Sequence, residues 1–384
     1  MTTLFSPIRE FFKKGDVLLL FLCLTASGYG LALIYSATRY LDNNNRNVIV
    51  QAVAICIGVV IYIVLTFVDF QLFVEKCWKW LVAFDVGFIL LLLTPLGKES
   101  GGNRNWLQPN EIVKIPFILL LAWQAARIHQ QERDISSSFS VAQLTGHTLL
   151  MVGLIAVVCG DIGMCVIYLF LFVTISWMAG VKARWFALGG TCFVGAILGA
   201  WFTILQSDRF AYIRNRFMVV LDHSLDPLGA GFQQSRSLLA IGSGGLFGMG
   251  MGQGRQKFAY LPYPESDFIF AIVGEDFGLI GCLTVIALFV LFVLAGLRVS
   301  LACRDRFGCL LGAGITSMIG LQAFINMGVV TGMLPTTGLP LPFFSAGGTS
   351  VSVMMAAVGV LLSISRENGA RIVEPTDQQS GGRA

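Results

Sequence analysis

Apolar runs of roughly 20 residues recur along the chain, separated by short charged or Gly/Pro-bearing breaks. Runs of that length match the hydrocarbon thickness of a bilayer. Bounded at charges and turn residues, they give ten candidate spans: 17–36, 48–68, 79–96, 111–126, 143–159, 162–180, 185–205, 267–297, 307–332 and 343–364. The fourth and fifth are short or polar. The break between the fifth and sixth is only a few residues, so that pair also reads as one interrupted helix, which leaves nine spans. The weak alternation of a β-barrel is absent. The pattern predicts an all-α fold: a polytopic membrane helix bundle of about ten transmembrane helices with one large extracellular loop, about 206–266. Residues 1–366 read as a single transmembrane domain, and 367–384, polar and Gly-rich, as a disordered cytoplasmic tail.

Composition supports this. Of the 384 residues, 55% are hydrophobic and 12% charged, about half the charge fraction of a soluble protein. The net charge of +4 is dispersed and flanks apolar runs, so no nucleic-acid partner is expected. Placing Lys13, Lys14, Lys76, Lys79, Arg127, Arg133, Lys182, Arg184, Arg298 and Arg366 inside obeys the positive-inside rule, with both termini cytoplasmic. The first apolar segment is too long, and lacks the cleavage pattern, for a removable signal. Nine cysteines, mostly within apolar runs and without a C-x-x-C, suggest neither zinc nor a redox pair. His129, His147 and His223 are scattered, so no His-based metal site is expected.

Five stretches carry candidate chemistry. In Gln108-Pro109-Asn110-Glu111, Pro precedes a helix start, and Lys114 follows Glu111 on the same face. An ionisable pair at the head of an apolar run faces a cavity more often than lipid. Asp161, between two apolar runs, reads equally as a helix cap or a cavity carboxylate. The loop at 206–266 combines Arg209, Arg214 and Arg216 with many glycines, a composition suited to gripping phosphate oxygens; Gln233 and Ser243 are further candidates there for substrate contact. Asp267 stands where this loop meets an apolar helix, as cap, catalytic base or both. The stretch 326–350, rich in Pro and Gly, reads as a re-entrant loop, which membranes tolerate only where protein buries it or a cavity is lined. Ser345 and Gly347 are its candidates for substrate contact.

Together these stretches resemble the SEDS family, the group of RodA, FtsW and SpoVE. The resemblance is collinear over nearly the whole chain. It is carried by AIGSGGLFGMGMGQGRQKFAYLP (240–262), SDFIFAIVGEDFGLIG (266–281) and GMLPTTGLPLPFFSAGGTS (332–350), with wording nearer the FtsW/SpoVE branch. Asn110, Cys159-Gly160, Glu265-Ser266 and Ala346 depart from the family pattern. The resemblance implies a peptidoglycan glycosyltransferase that polymerises lipid II into β-1,4 glycan at the outer face of the bacterial cytoplasmic membrane, for division or cell shape. It implies a class B penicillin-binding protein as transpeptidase partner. It makes Asp267 the essential carboxylate and matches Glu111 and Lys114 to the family's Glu and Lys. A divalent cation, Mg or Mn, between diphosphate and carboxylate is left open. The rival readings are a lipid II flippase, against which no inverted repeat is visible, and a non-catalytic scaffold for the penicillin-binding protein.

Overall fold

A computed structural model of the chain describes residues 16–39, 44–91, 109–206, 218–219, 230–256, 261–262 and 264–373. The helices in chain order are α1 (Val17–Thr38), α2 (Asn44–Leu65), α3 (Phe70–Leu90), α4 (Pro109–Ile112), α5 (Lys114–Gln130), α6 (Ser138–Leu154), α7 (Ile162–Met178), α8 (Ala183–Gln206), α9 (Ala230–Gly244), α10 (Ile269–Leu301), α11 (Arg306–Val330) and α12 (Gly348–Val373). Each expected span has its helix, with α4 and α5 together forming the fourth. Among the described residues seven helical stretches are long and apolar enough to cross a membrane, and Ile162–Met178 is a shorter apolar one.

Local chemistry sets the boundaries. Asp69 caps α3 by accepting from Leu72 N–H at 3.0 Å, so this helix starts nine residues before the expected span. Glu75, Lys76 and Lys79, which push a hydropathy reading toward the apolar part, are exposed on its first turns. A π turn, Ile155–Cys159, ends α6 at left-handed Gly160, and Asp161 caps α7. The fifth and sixth spans are therefore two helices, not one interrupted helix. Helix α12 continues to Val373, which moves the start of any tail beyond the expected 367.

The core is one continuous apolar cluster centred on α5, α10, α11 and α12. The tightest pairings are α2 with α12, α10 with α11 and α9 with α10. Helix α10 is 33 residues long, about 50 Å as a continuous helix, where about 30 Å of hydrocarbon must be crossed. It is not continuous. Gly278 has φ 66° and ψ −159°, a break that an L side chain would resist. Residues 279–301 present Leu279, Leu283, Val290 and Leu294 outward, as a membrane helix does. Residues 269–276 are buried in protein, so the first piece is a half-helix docked inside the bundle.

The expected loop 206–266 is corrected in two ways. Residues 230–244 are helical, with Gln234, Ser237 and Ala240 on the buried face. Ser237 Oγ donates to Val330 O at 2.7 Å, and Gln234 Nε2 to Val329 O at 3.3 Å. Several N–H groups of the glycine-rich turn after α9 are used inside the protein. The turn splices the broken helix. Met249 N–H donates to Glu275 O (2.9 Å) and Gly250 N–H to Asp276 O (3.0 Å), while Leu279 N–H donates back to Gly245 O (2.9 Å). These bonds satisfy backbone groups that the break at Gly278 would leave orphaned inside a membrane protein.

Candidate functional site

Glu111 and Lys114 lie at the junction of α4 and α5, and both side chains are fully buried. Lys114 Nζ donates to Glu111 Oε1 at 2.7 Å and to Gln322 Oε1, on α11, at 2.6 Å. Ser350 Oγ, on α12, approaches Glu111 Oε2 at 3.5 Å. A buried charge is tolerated only when paired and hydrogen-bonded, and here α4, α5, α11 and α12 each contribute a group. Between holding Glu111 and gripping phosphate, the geometry has Lys114 holding Glu111.

The segment 331–347 lies against this pair. Gln322 Nε2 donates to Pro340 O at 3.0 Å. One turn further along α11, Asn326 Nδ2 donates to Leu339 O at 2.8 Å and to Asp267 O at 2.7 Å. The same segment is fastened to the approach of α10. Ser345 Oγ donates to Ser266 O (2.6 Å) and accepts from Leu341 N–H (2.7 Å), and Ala346 N–H donates to Glu265 O (2.7 Å). Gln51 of α2 closes it from the other side, donating to Ser345 O and accepting from Gly347 N–H, each at 3.2 Å. Buried Phe343 has φ 67°, a conformation that costs about 1–3 kcal/mol and persists where the surroundings over-determine it.

Asp267 is partly exposed and sits just before the half-helix. The N-cap position of the half-helix is Phe268, which makes no side-chain cap bond. The main-chain carbonyl of Asp267 is pinned by Asn326. Further along the half-helix, Glu275 Oε1 accepts from Gln256 N–H at 2.8 Å. Asp276 accepts from Ser36 Oγ of α1, and Ser36 in turn accepts from Gly252 N–H at 3.0 Å. The half-helix is thus held along its length by α1, α11, the glycine-rich turn and the 331–347 segment.

The other expected residues separate. Asp161 caps α7 through Met164 N–H at 3.0 Å, as its cap reading expects, and its charge is also felt by Lys114 and Glu111. Burial raises its pKa, against the lowering by Met164 N–H and Lys114. Ser345 is corrected from substrate contact to an internal latch, because it is buried and its hydroxyl is used within the protein. Gly347 also spends its N–H internally, on Gln51. Ser243 is exposed on α9, its hydroxyl donating to Ala240 O at 2.8 Å. Gln233 is half-buried beside the anchoring Gln234. Arg209, Arg214 and Arg216 lie outside the described residues. Among the described residues no cluster of three or more His, Cys, Asp or Glu is placed to hold a metal. Gln51, Gln322 and Asn326 are site residues that the sequence reading missed.

The FtsW/RodA/SpoVE cell cycle protein model matches residues 17–370. This chain belongs to that family. This family member is 34% identical to stage V sporulation protein E of Bacillus subtilis over 91% of this chain and 97% of the relative. It is 32% identical to the probable peptidoglycan glycosyltransferase FtsW of Geobacter metallireducens, over 92% and 95%. Its fold is that of a chain in a peptidoglycan synthase complex that coordinates polymerization and crosslinking (TM-score 0.75, 24% identity, 92% of this chain and 98% of that one). The rod shape determining protein RodA of Thermus thermophilus gives a TM-score of 0.62 at 24% identity, over 92% and 97%. The family expectation made from the motifs holds.

Proposed function

We propose that this family member polymerises lipid II at the outer face of the bacterial cytoplasmic membrane, with Asp267 as general base. One observation carries the assignment of the base. Asp267 is a partly exposed carboxylate at the head of a buried half-helix, and its backbone is fixed by Asn326 at 2.7 Å. A base must reach its substrate without drifting, and this combination of edge position and pinned main chain does both.

The 4-hydroxyl of the acceptor GlcNAc attacks the anomeric carbon of the lipid-linked donor strand. Its proton passes to Asp267. The new C1–O4 bond forms with inversion as the C1–O bond to the diphosphate breaks, and the diphosphate leaves with that electron pair. Arg209, Arg214 and Arg216 are assigned to the leaving diphosphate on their charge and loop position. Glu111 and Lys114 act as a buried strut that carries α11 and the 331–347 segment, and so the wall behind Asp267. Gln233 and Ser243 are assigned to the outer approach.

The synthase-complex neighbour supports a class B penicillin-binding protein as partner. The distribution of Lys and Arg supports an inner-membrane protein with both termini cytoplasmic. The named relatives support the transferase over the flippase and scaffold readings.

The test is purified protein in vesicles with lipid II and a class B penicillin-binding protein. The transferase reading predicts glycan strands from wild type and none from Asp267→Ala. Lipid II crossing the bilayer with no glycan formed, by wild type under the same conditions, would overturn it in favour of transport.

A further inference from the structure

At the end of α5 remote from Lys114 lies a second built site. Arg127 is thirteen residues along the helix from Lys114, about 20 Å away. A cavity of about 230 Å³ opens there between α3, α5 and α6, lined by Trp78, Trp123, Gln124, Arg127, Arg133 and Gln143, among others. The two indoles stack with centroids 5.6 Å apart and 24° between planes, and Arg127 lies over the Trp123 ring at 4.9 Å.

The rim is preformed. Glu132, at φ 55°, closes α5 with Arg133 N–H donating to Ile128 O (3.2 Å) and Glu132 N–H to His129 O (3.0 Å). This is the two-bond helix end that fixes the following residue, here Arg133. Trp185 Nε1 donates to Ser136 O at 2.9 Å and Lys182 N–H to Ser136 Oγ at 3.0 Å, which ties the connection down from α8.

The polar inventory points to a ligand. Among the described residues neither Arg127 nor Arg133 has a carboxylate at ion-pair distance. The nearby Asp134 is turned to Ser136 N–H at 2.9 Å and toward Lys182 at 3.8 Å. Gln124 Oε1 is buried and has no donor. The cavity thus offers two guanidinium forks for an anion, with the Gln124 side chain in its lining. Phe139, at the start of α6, is 69% exposed, with Arg133 over its ring at 5.9 Å. Exposed aromatics at the ends of spanning helices mark the headgroup level of a membrane, where basic pockets between helices take lipid headgroups.

We propose that this cavity binds the headgroup of an anionic glycerophospholipid. Arg127 and Arg133 hold the phosphodiester, Gln124 Oε1 accepts from a headgroup hydroxyl, and the tryptophans pack against the glycerol and upper chain. The site is separate from Asp267 and does not rest on the transferase reading.

The test uses full-length protein in neutral detergent, titrated with phosphatidylglycerol, phosphatidic acid, phosphatidylcholine or water-soluble glycerol 3-phosphate. Native mass spectrometry and thermal melting are the readouts. Wild type retains phosphatidylglycerol and melts higher with it, saturably, and phosphatidylcholine does neither. Arg127→Gln/Arg133→Gln melts like wild type without lipid, because both side chains are exposed, and binds phosphatidylglycerol roughly thirtyfold more weakly. Arg127→Lys/Arg133→Lys recovers part of that loss. Gln124→Leu erases the preference for phosphatidylglycerol over phosphatidic acid, which lacks the headgroup glycerol and its alcohol groups. Equal binding by wild type and the Gln variants would overturn the site, and glycerol 3-phosphate matching the lipid would overturn the assignment to lipid.

Discussion

Gln322 and Asn326 stand one turn apart on α11, and their carboxamides hold the two halves of the site. Gln322 joins Lys114 (2.6 Å) to Pro340 O (3.0 Å), and Asn326 joins Asp267 O (2.7 Å) to Leu339 O (2.8 Å). The strut and the base are thus positioned by one helix face through one stretch of irregular chain.

Asn326→Leu removes both donors and leaves two carbonyls unpaired. Each buried unpaired group costs about 1–3 kcal/mol, so thermal unfolding should drop by several degrees. Turnover should fall more than apparent affinity for lipid II, because the base is misplaced. Loss of affinity alone would detach Asn326 from the positioning of Asp267.

The strut should show strong coupling. Glu111→Gln or Lys114→Met alone leaves one buried charge without its partner, a cost of about 3–5 kcal/mol. Glu111→Gln/Lys114→Met removes both charges and should be less destabilised than the sum of the singles. A double-mutant cycle on chemical or thermal unfolding measures this. Additive losses would mean that the pair does not act as a unit.

The splice at Gly278 makes a backbone prediction. Gly278→Ala forces a Cβ onto φ 66° and into the Leu246–Gly248 turn. Gly254→Ala overlaps the Glu275 carboxyl. Each should cost at least about 1–3 kcal/mol and raise protease cleavage between α9 and α10. Wild-type stability and protease resistance in both would show that the turn does not hold the half-helix.

Asp161 has a pKa raised above the ordinary 3.8, chiefly by burial. The folded state therefore binds more protons than the unfolded one between those two values, and stability falls as pH rises through the interval. Asp161→Asn keeps a cap acceptor and cannot ionise. Its melting temperature should approach or exceed that of wild type as pH rises from acid to neutral. A wild-type advantage that grows with pH would reverse the sign.

The bundle was legible because a spanning helix must be apolar for about 20 residues, and that demand shows in the sequence. The start of α3 was not, since Glu75, Lys76 and Lys79 project outward from a helix that Asp69 had already begun. Asp267, Glu111 and Lys114 stood out as charges at the edges of apolar runs. Gln51, Gln322 and Asn326 did not. They are neutral, lie within apolar helices, and bond to main-chain carbonyls or N–H groups of a segment whose path no periodicity predicts. The splice made by the glycine-rich turn was hidden for a related reason: the break at Gly278 creates backbone partners for Met249 and Gly250 that only the folded chain reveals.

The most direct measurement is lipid II polymerisation by Asp267→Asn beside wild type, each with the class B penicillin-binding protein and each shown to melt at the same temperature. Asn keeps the size of the side chain and cannot accept the hydroxyl proton. Glycan synthesis should fall by about 10²-fold or more. Full activity in the folded variant would contradict the assignment of the base and, with it, the role given to the wall that holds Asp267.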